Sequence, residues 1–99
     1  MGSHFTKQEK DFAKALLTLK TEQECIAFLE DICTIKEIQD ISQRLVVAKM
    51  LAGGEKYQNI EKETGASTAT ISRVNKCLSY GSGGYKTVLE RIEDSSEEK

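Results

Sequence analysis

Ser67, Thr68, Thr70 and Ser72 supply hydroxyls, and Arg73 and Lys76 supply cations, at spacings that a helix would gather onto one surface. No base, activated nucleophile or carboxylate pair accompanies them, so the chemistry on offer is recognition rather than catalysis. Hydroxyls and cations together suit the phosphates and base edges of duplex DNA. The opening turn of a helix in the major groove must be small, and Thr68, Ala69 and Thr70 meet that demand. Their methyl groups can touch a thymine methyl, and their hydroxyls can reach phosphates or bases. Arg73 and Lys76 are the only formal charges on this segment, and both are positive. Gln58 and Lys62, just upstream, suit contacts to backbone phosphates.

The flanking sequence shows how these residues are held. The run from Ile60 to Val74 reads as a helix-turn-helix. Ile60 gives the first helix an inward apolar contact, and Gly65 suits a positive-φ turn. Ser67 is placed to cap the second helix by accepting from the amide of Thr70 or its neighbour. Ile71, Val74 and Leu78 recur at helical spacing and point inward, which leaves Ala69, Ser72, Arg73 and Lys76 outward. One position departs from the usual pattern. The residue after Ile60 is normally Ala or Gly because the helices cross closely there, and this chain has Glu61. Either the crossing is wider, or the carboxylate swings outward along the helix edge. A plain helical hairpin, with its Gly-Ala-Ser turn serving packing alone, is the alternative reading.

Three start signals punctuate the first half. Thr6-Lys7-Gln8-Glu9, Thr21-Glu22-Gln23-Glu24 and Thr34-Ile35-Lys36-Glu37 each read as a capping box, with Thr as cap and Glu reaching back. They predict helices near 7–19, 22–33 and 35–52, the last ending at Gly53-Gly54. The helix-turn-helix follows with helices near 57–64 and 68–79. Gly81-Ser82-Gly83-Gly84 links to a final helix near 85–92. The chain has no proline, and no alternating β-branched run calls for strands, so the fold should be all-α. Residues 1–5 read as a tag remnant or a disordered N-terminus, 6–92 as one domain and 93–99 as an acidic disordered tail. Phe12, Leu16, Leu17 and Leu19, then Ile26, Phe28, Leu29 and Ile32, exceed one narrow stripe per helix. They are either ordinary core or, the favoured reading, the interface of an interlocked homodimer, which would present two recognition helices about 34–36 Å apart, one turn of DNA.

The 99 residues carry a formal charge of -2, against the basic footprint usual for DNA binding. The distribution matters more: Glu93, Asp94, Glu97 and Glu98 load acid into the C-terminus, whereas no acid lies between Ser67 and Gly84. Cys25, Cys33 and Cys77 form no CxxC pair, and His4 is the only histidine, so no zinc site is expected. Packed thiols in a reducing cytosol fit this pattern. No apolar run approaches a membrane span and no signal-peptide core follows the N-terminus, so a cytoplasmic protein without membrane attachment is expected.

The segment Gly65-Ala66-Ser67-Thr68-Ala69-Thr70-Ile71-Ser72-Arg73 resembles the recognition segment of the tryptophan repressor family, whose pattern is GA-x-x-ATI-[ST]-R. Gln43-Arg44, Leu51 and Gly54-Glu55 are similar to that family as well, and the likeness spans roughly Thr34 to Leu78. Glu24–Thr34 and Ala66–Asn75 resemble segments of its TrpR-like, YerC/YecD-type branch. The resemblance implies an intertwined homodimer of all-α subunits, six helices each, that regulates transcription at a palindromic operator. It also implies an effector pocket with Arg44 and Arg73 on either side of an indole and Thr34 at the edge. The family has a glycine after the second arginine, whereas this chain has Val74, whose branched side chain takes up the space where indole would pack. Tryptophan is therefore not carried over, and a different small effector or none are the remaining alternatives. Arg44 alternatively pairs with Glu37 or Asp40 at helical spacing, and Arg73 alternatively meets a phosphate. No enzyme activity and no cofactor is expected. The competing function is a helical interaction module that has kept the scaffold and lost DNA binding.

Overall fold

The computed structural model describes residues 4–97, which form six α-helices and no strand. Met1, Gly2 and Ser3, within the stretch expected to be a tag remnant, lie outside the described residues, as do Glu98 and Lys99. The chain divides into two compact units, residues 1–38 and 39–99.

The first unit contains α1 (Lys7–Leu16), α2 (Glu22–Ile32) and the start of α3 (Ile35–Ala52). Its helices begin where the threonines predict. Thr6 and Glu9 form a reciprocal box, Glu9 N to Thr6 Oγ1 at 3.1 Å and Thr6 N to Glu9 Oε1 at 3.0 Å. Thr34 and Glu37 repeat it at 3.0 and 2.8 Å, so the Glu37 carboxylate faces its own helix start rather than Arg44. At Thr21 only half the box forms: Thr21 accepts from Glu24 N, but the Glu24 carboxylate reaches past the cap to Lys20 N at 2.8 Å. The first helix stops at Leu16 rather than 19. Thr18 Oγ1 donates to the Ala15 carbonyl at 2.7 Å, and Thr18 N bonds the same oxygen, tightening the chain into a turn. Phe12 and Phe28 pack with ring centroids 6.1 Å apart. Yet neither α1 nor α2 buries a side chain fully, and Phe12, Leu16, Leu17, Ile26 and Ile32 stay exposed, Leu17 at 84%.

The second unit carries the rest of α3, α4 (Tyr57–Thr64), α5 (Thr68–Tyr80) and α6 (Gly84–Glu97). Its core is small and built from four places in the sequence: Val47 and Ala48 on α3, Ile60 on α4, Ala66 in the turn, Ile71 and Val74 on α5. Met50, Leu51, Tyr57, Leu78, Tyr85 and Leu89 pack around it, the last two from α6. Gly53-Gly54 ends α3 as expected. Gly54 sits at φ 85°, Glu55 N bonds Met50 O at 3.0 Å and Gly54 N bonds Leu51 O at 3.0 Å, the paired bonds of a Schellman stop. The last helix runs to Glu97, beyond the expected end at 92, so the acidic stretch expected as a tail enters it. No glycine or proline follows Gly84 to break it. No helix of the described residues is long and apolar enough to cross a membrane.

Candidate nucleic-acid interface

The turn between α4 and α5 is built from the backbone outward. Gly65 caps α4 in the left-handed conformation at φ 76°, ψ 4°, and its N–H closes on Glu61 O at 2.9 Å. Ala66 is buried beneath the turn, where its methyl joins the core. Ser67 caps α5 from extended backbone, accepting from Thr70 N at 3.1 Å. The Ser67 hydroxyl also donates to Thr70 Oγ1 at 3.1 Å, which ties the first turn of α5 together.

Two further residues hold this turn. Thr64 Oγ1 donates to Ile60 O at 2.7 Å and accepts from Ala66 N at 3.0 Å, bridging the end of α4 to the turn. Gln43 Nε2 reaches from α3 to Thr64 O at 3.1 Å. A threonine one residue before a capping glycine is a usable signal, because its hydroxyl can bond the carbonyl four residues back. Gln43 is a long-range partner that periodicity cannot find.

The two faces of α5 separate cleanly. Ile71 and Val74 are buried and Leu78 half-buried, whereas Ala69, Ser72, Arg73 and Lys76 are exposed. Ser67 and Thr68 are exposed at the helix start and Thr70 is half-buried. On α4, Gln58 and Lys62 are exposed one helical turn apart, hence on one side. The structure thus brings to the surface of one unit the hydroxyls and cations singled out in the sequence. The carboxylate of Glu61, the departure from pattern, lies beside the first turn of α5, where its Oε2 accepts from Thr68 Oγ1.

The residues considered for an effector pocket fall in different settings. Arg44 and Arg73 are exposed side chains, and Val74 is 1% exposed within the core. Thr34, in the other unit, is exposed and serves as a helix cap. Two open grooves in the second unit, with volumes of about 680 and 320 Å³, are lined from Leu51, Leu78 and Leu89 and from Lys49, Ala52 and Ile92 respectively. Neither is lined by Arg44, Arg73 or Val74. Cys25 and Cys33 are half-buried free thiols and Cys77 is exposed; no group of metal-ligating side chains occurs among the described residues.

The family profile for the Trp repressor protein matches residues 7–93. The uncharacterized protein YerC of Bacillus subtilis strain 168 is 49% identical over 92 residues, covering 93% of this chain and 88% of that protein. A crystal structure of a TrpR-like protein from Eubacterium eligens is 50% identical, with a TM-score of 0.84 over 89% of this chain and 91% of that one. A candidate Trp repressor from Staphylococcus aureus is 46% identical, with a TM-score of 0.85 over 90% and 89% of the respective chains. The chain belongs to the Trp repressor family.

Proposed function

We propose that this member of the Trp repressor family is a sequence-specific regulator of transcription that docks α5 in the major groove of double-stranded DNA. The observation that carries the reading is the exposed stripe of Ala69, Ser72, Arg73 and Lys76, set opposite a buried stripe and free of acidic residues from Ser67 to Gly84. Small residues in the first turn let the helix approach base edges, and Arg73 and Lys76 meet base edges or phosphates. Gln58 and Lys62 on α4 take the flanking backbone, with Ser67 and Thr70 at the mouth of the helix.

The working unit is a homodimer joined through α1 and α2. Those helices bury no side chain fully within one chain, and the exposed Phe12, Leu16, Ile26 and Ile32, with Leu17 at the end of α1, gain most from a second copy. A two-fold dimer reads a palindrome, which matches half-sites one helical turn apart. Tryptophan is not the effector in this reading. Val74 is packed into the core where the repressor pattern has glycine, so the branched side chain takes the room an indole would need against α5. Arg44 and Arg73 are then free for charge partners other than an indole-bearing ligand.

Binding to a labelled duplex, followed by fluorescence anisotropy across a salt series, tests the proposal. The wild-type protein should lose affinity steeply with salt, each phosphate contact contributing a slope of roughly -0.9. Arg73→Ala should weaken binding at every salt concentration, and added tryptophan should leave the curves in place. A chain that shifts no duplex at low salt would instead act as an interaction module. The Glu61 carboxylate beside α5 and the net charge of -2 favour that second reading.

A further inference from the structure

We infer that Glu61 and Thr68 form a single reading unit that selects a base bearing an exocyclic amino group, adenine or cytosine, in each half-site. The inference rests on the DNA-binding reading above and specifies what part of that surface recognises. Glu61 lies on α4, and its Oε2 accepts a hydrogen bond from Thr68 Oγ1 at the first position of α5. A carboxylate carries lone pairs and no proton, so the hydrogen in this bond is the threonine's. A threonine hydroxyl has one proton and two lone pairs. With its proton engaged by Glu61, the Thr68 hydroxyl can offer only lone pairs to anything that approaches from outside.

That restriction decides which groups it can meet. Phosphate oxygens, guanine N7 and O6, and thymine O4 are all acceptors and find no donor at the Thr68 hydroxyl. The donors displayed in the major groove are adenine N6 and cytosine N4. The remaining carboxylate oxygen of Glu61 works in the same direction, since it also accepts and its charge disfavours a phosphate at close range. Thr68 is exposed and Glu61 half-buried, so the pair is presented to solvent from a fixed base. The neighbouring hydroxyl of Ser67 cannot take over the donor role, because it already donates to Thr70 Oγ1 at 3.1 Å. A Glu at this position therefore converts an ambiguous hydroxyl into a one-way reader.

The test is selection of bound sequences from a random duplex pool at low salt, run in parallel with the wild-type protein, Glu61→Ala and Thr68→Val. Circular dichroism confirms that each variant is helical. The wild-type pool should contain adenine or cytosine at one fixed position per half-site, preferred about ten-fold over guanine and thymine. Glu61→Ala frees the hydroxyl to donate, so that position should relax to near-equal use while the others keep their preferences. Thr68→Val keeps the shape and removes the hydroxyl, and it should weaken the same position. Identical profiles from wild-type and Glu61→Ala protein would overturn the assignment and leave DNA reading intact. A uniform change in affinity with no change at any single position would overturn it too. A wild-type protein that enriches nothing removes the DNA-binding reading, and this assignment falls with it.

Discussion

Replacing Gly65 with alanine places a side chain at φ 76°, the left-handed region in which the turn of the helix-turn-helix is made. A Cβ added there meets nothing within 4 Å, so the substitution isolates backbone strain from steric clash. The left-handed conformation costs an L-residue roughly 1–2 kcal/mol. The stiffer unfolded chain offsets about 0.4–1 kcal/mol of this, as alanine leaves fewer unfolded conformations to lose. The net loss is about 1 kcal/mol, which lowers the melting temperature of a domain this size by about 4–8 °C. Asparagine tolerates the same region better, so Gly65→Asn should melt between alanine and wild type. Gly81 provides the contrast. Its φ of -83° is ordinary, but a Cβ there would fall against the carbonyl oxygen of Cys77. Asparagine should therefore be no better than alanine at Gly81. Thermal unfolding followed by circular dichroism, backed by denaturant titration, measures all four variants. A Gly65→Ala protein that melts with or above wild type, or a Gly65→Asn protein that melts below Gly65→Ala, would refute the left-handed cap.

Ile60→Ala removes a fully buried side chain from a small core and should cost about 2–5 kcal/mol by denaturant unfolding. Thr64→Val deletes both bonds of the bridging hydroxyl and leaves Ala66 N–H without that partner, for a loss of roughly 1–3 kcal/mol; a loss below 0.5 kcal/mol would mean that water replaces the bridge. Ser67→Ala should cost about 1 kcal/mol through the lost cap, measured in the same way. Lys76→Ala should leave stability within about 0.5 kcal/mol of wild type and reduce the salt slope of DNA binding by about 1, as expected for one phosphate contact.

Much of this architecture is written in local signals. The three threonines mark their helix starts because capping is a contact between residues three apart, and Gly54 and Gly65 mark stops because no other residue enters the left-handed region so readily. The inward positions Ile71 and Val74 follow from a period of 3.6 residues, and their burial fixes the outward set at the same time. What the sequence does not display are choices between partners. The Glu24 carboxylate could accept from Thr21 N or Lys20 N, and the folded chain presents it with Lys20 N. Thr18 stops α1 early by bonding Ala15, a competition that apolar periodicity through Leu19 does not register. The acidic run after Ile92 looks like a tail on charge alone, yet without a breaker the helix continues into it to Glu97. In the candidate interface, the exposed side chains of α5 were legible, whereas the link from Gln43 to Thr64 depends on the fold. Glu61 was visible as an anomaly, but its partner seven residues on requires the turn to be in place.

The symmetry of the DNA that the protein chooses decides whether a two-fold dimer reads it. After selection from a random duplex pool, the enriched sequence should be a palindrome with half-sites about one helical turn apart. Arg73→Ala should abolish the enrichment and tryptophan should not alter it. Enrichment of an asymmetric site, or enrichment that appears only with tryptophan, would contradict the proposed dimer or the role given to Val74. No enrichment at any salt concentration would contradict DNA reading itself.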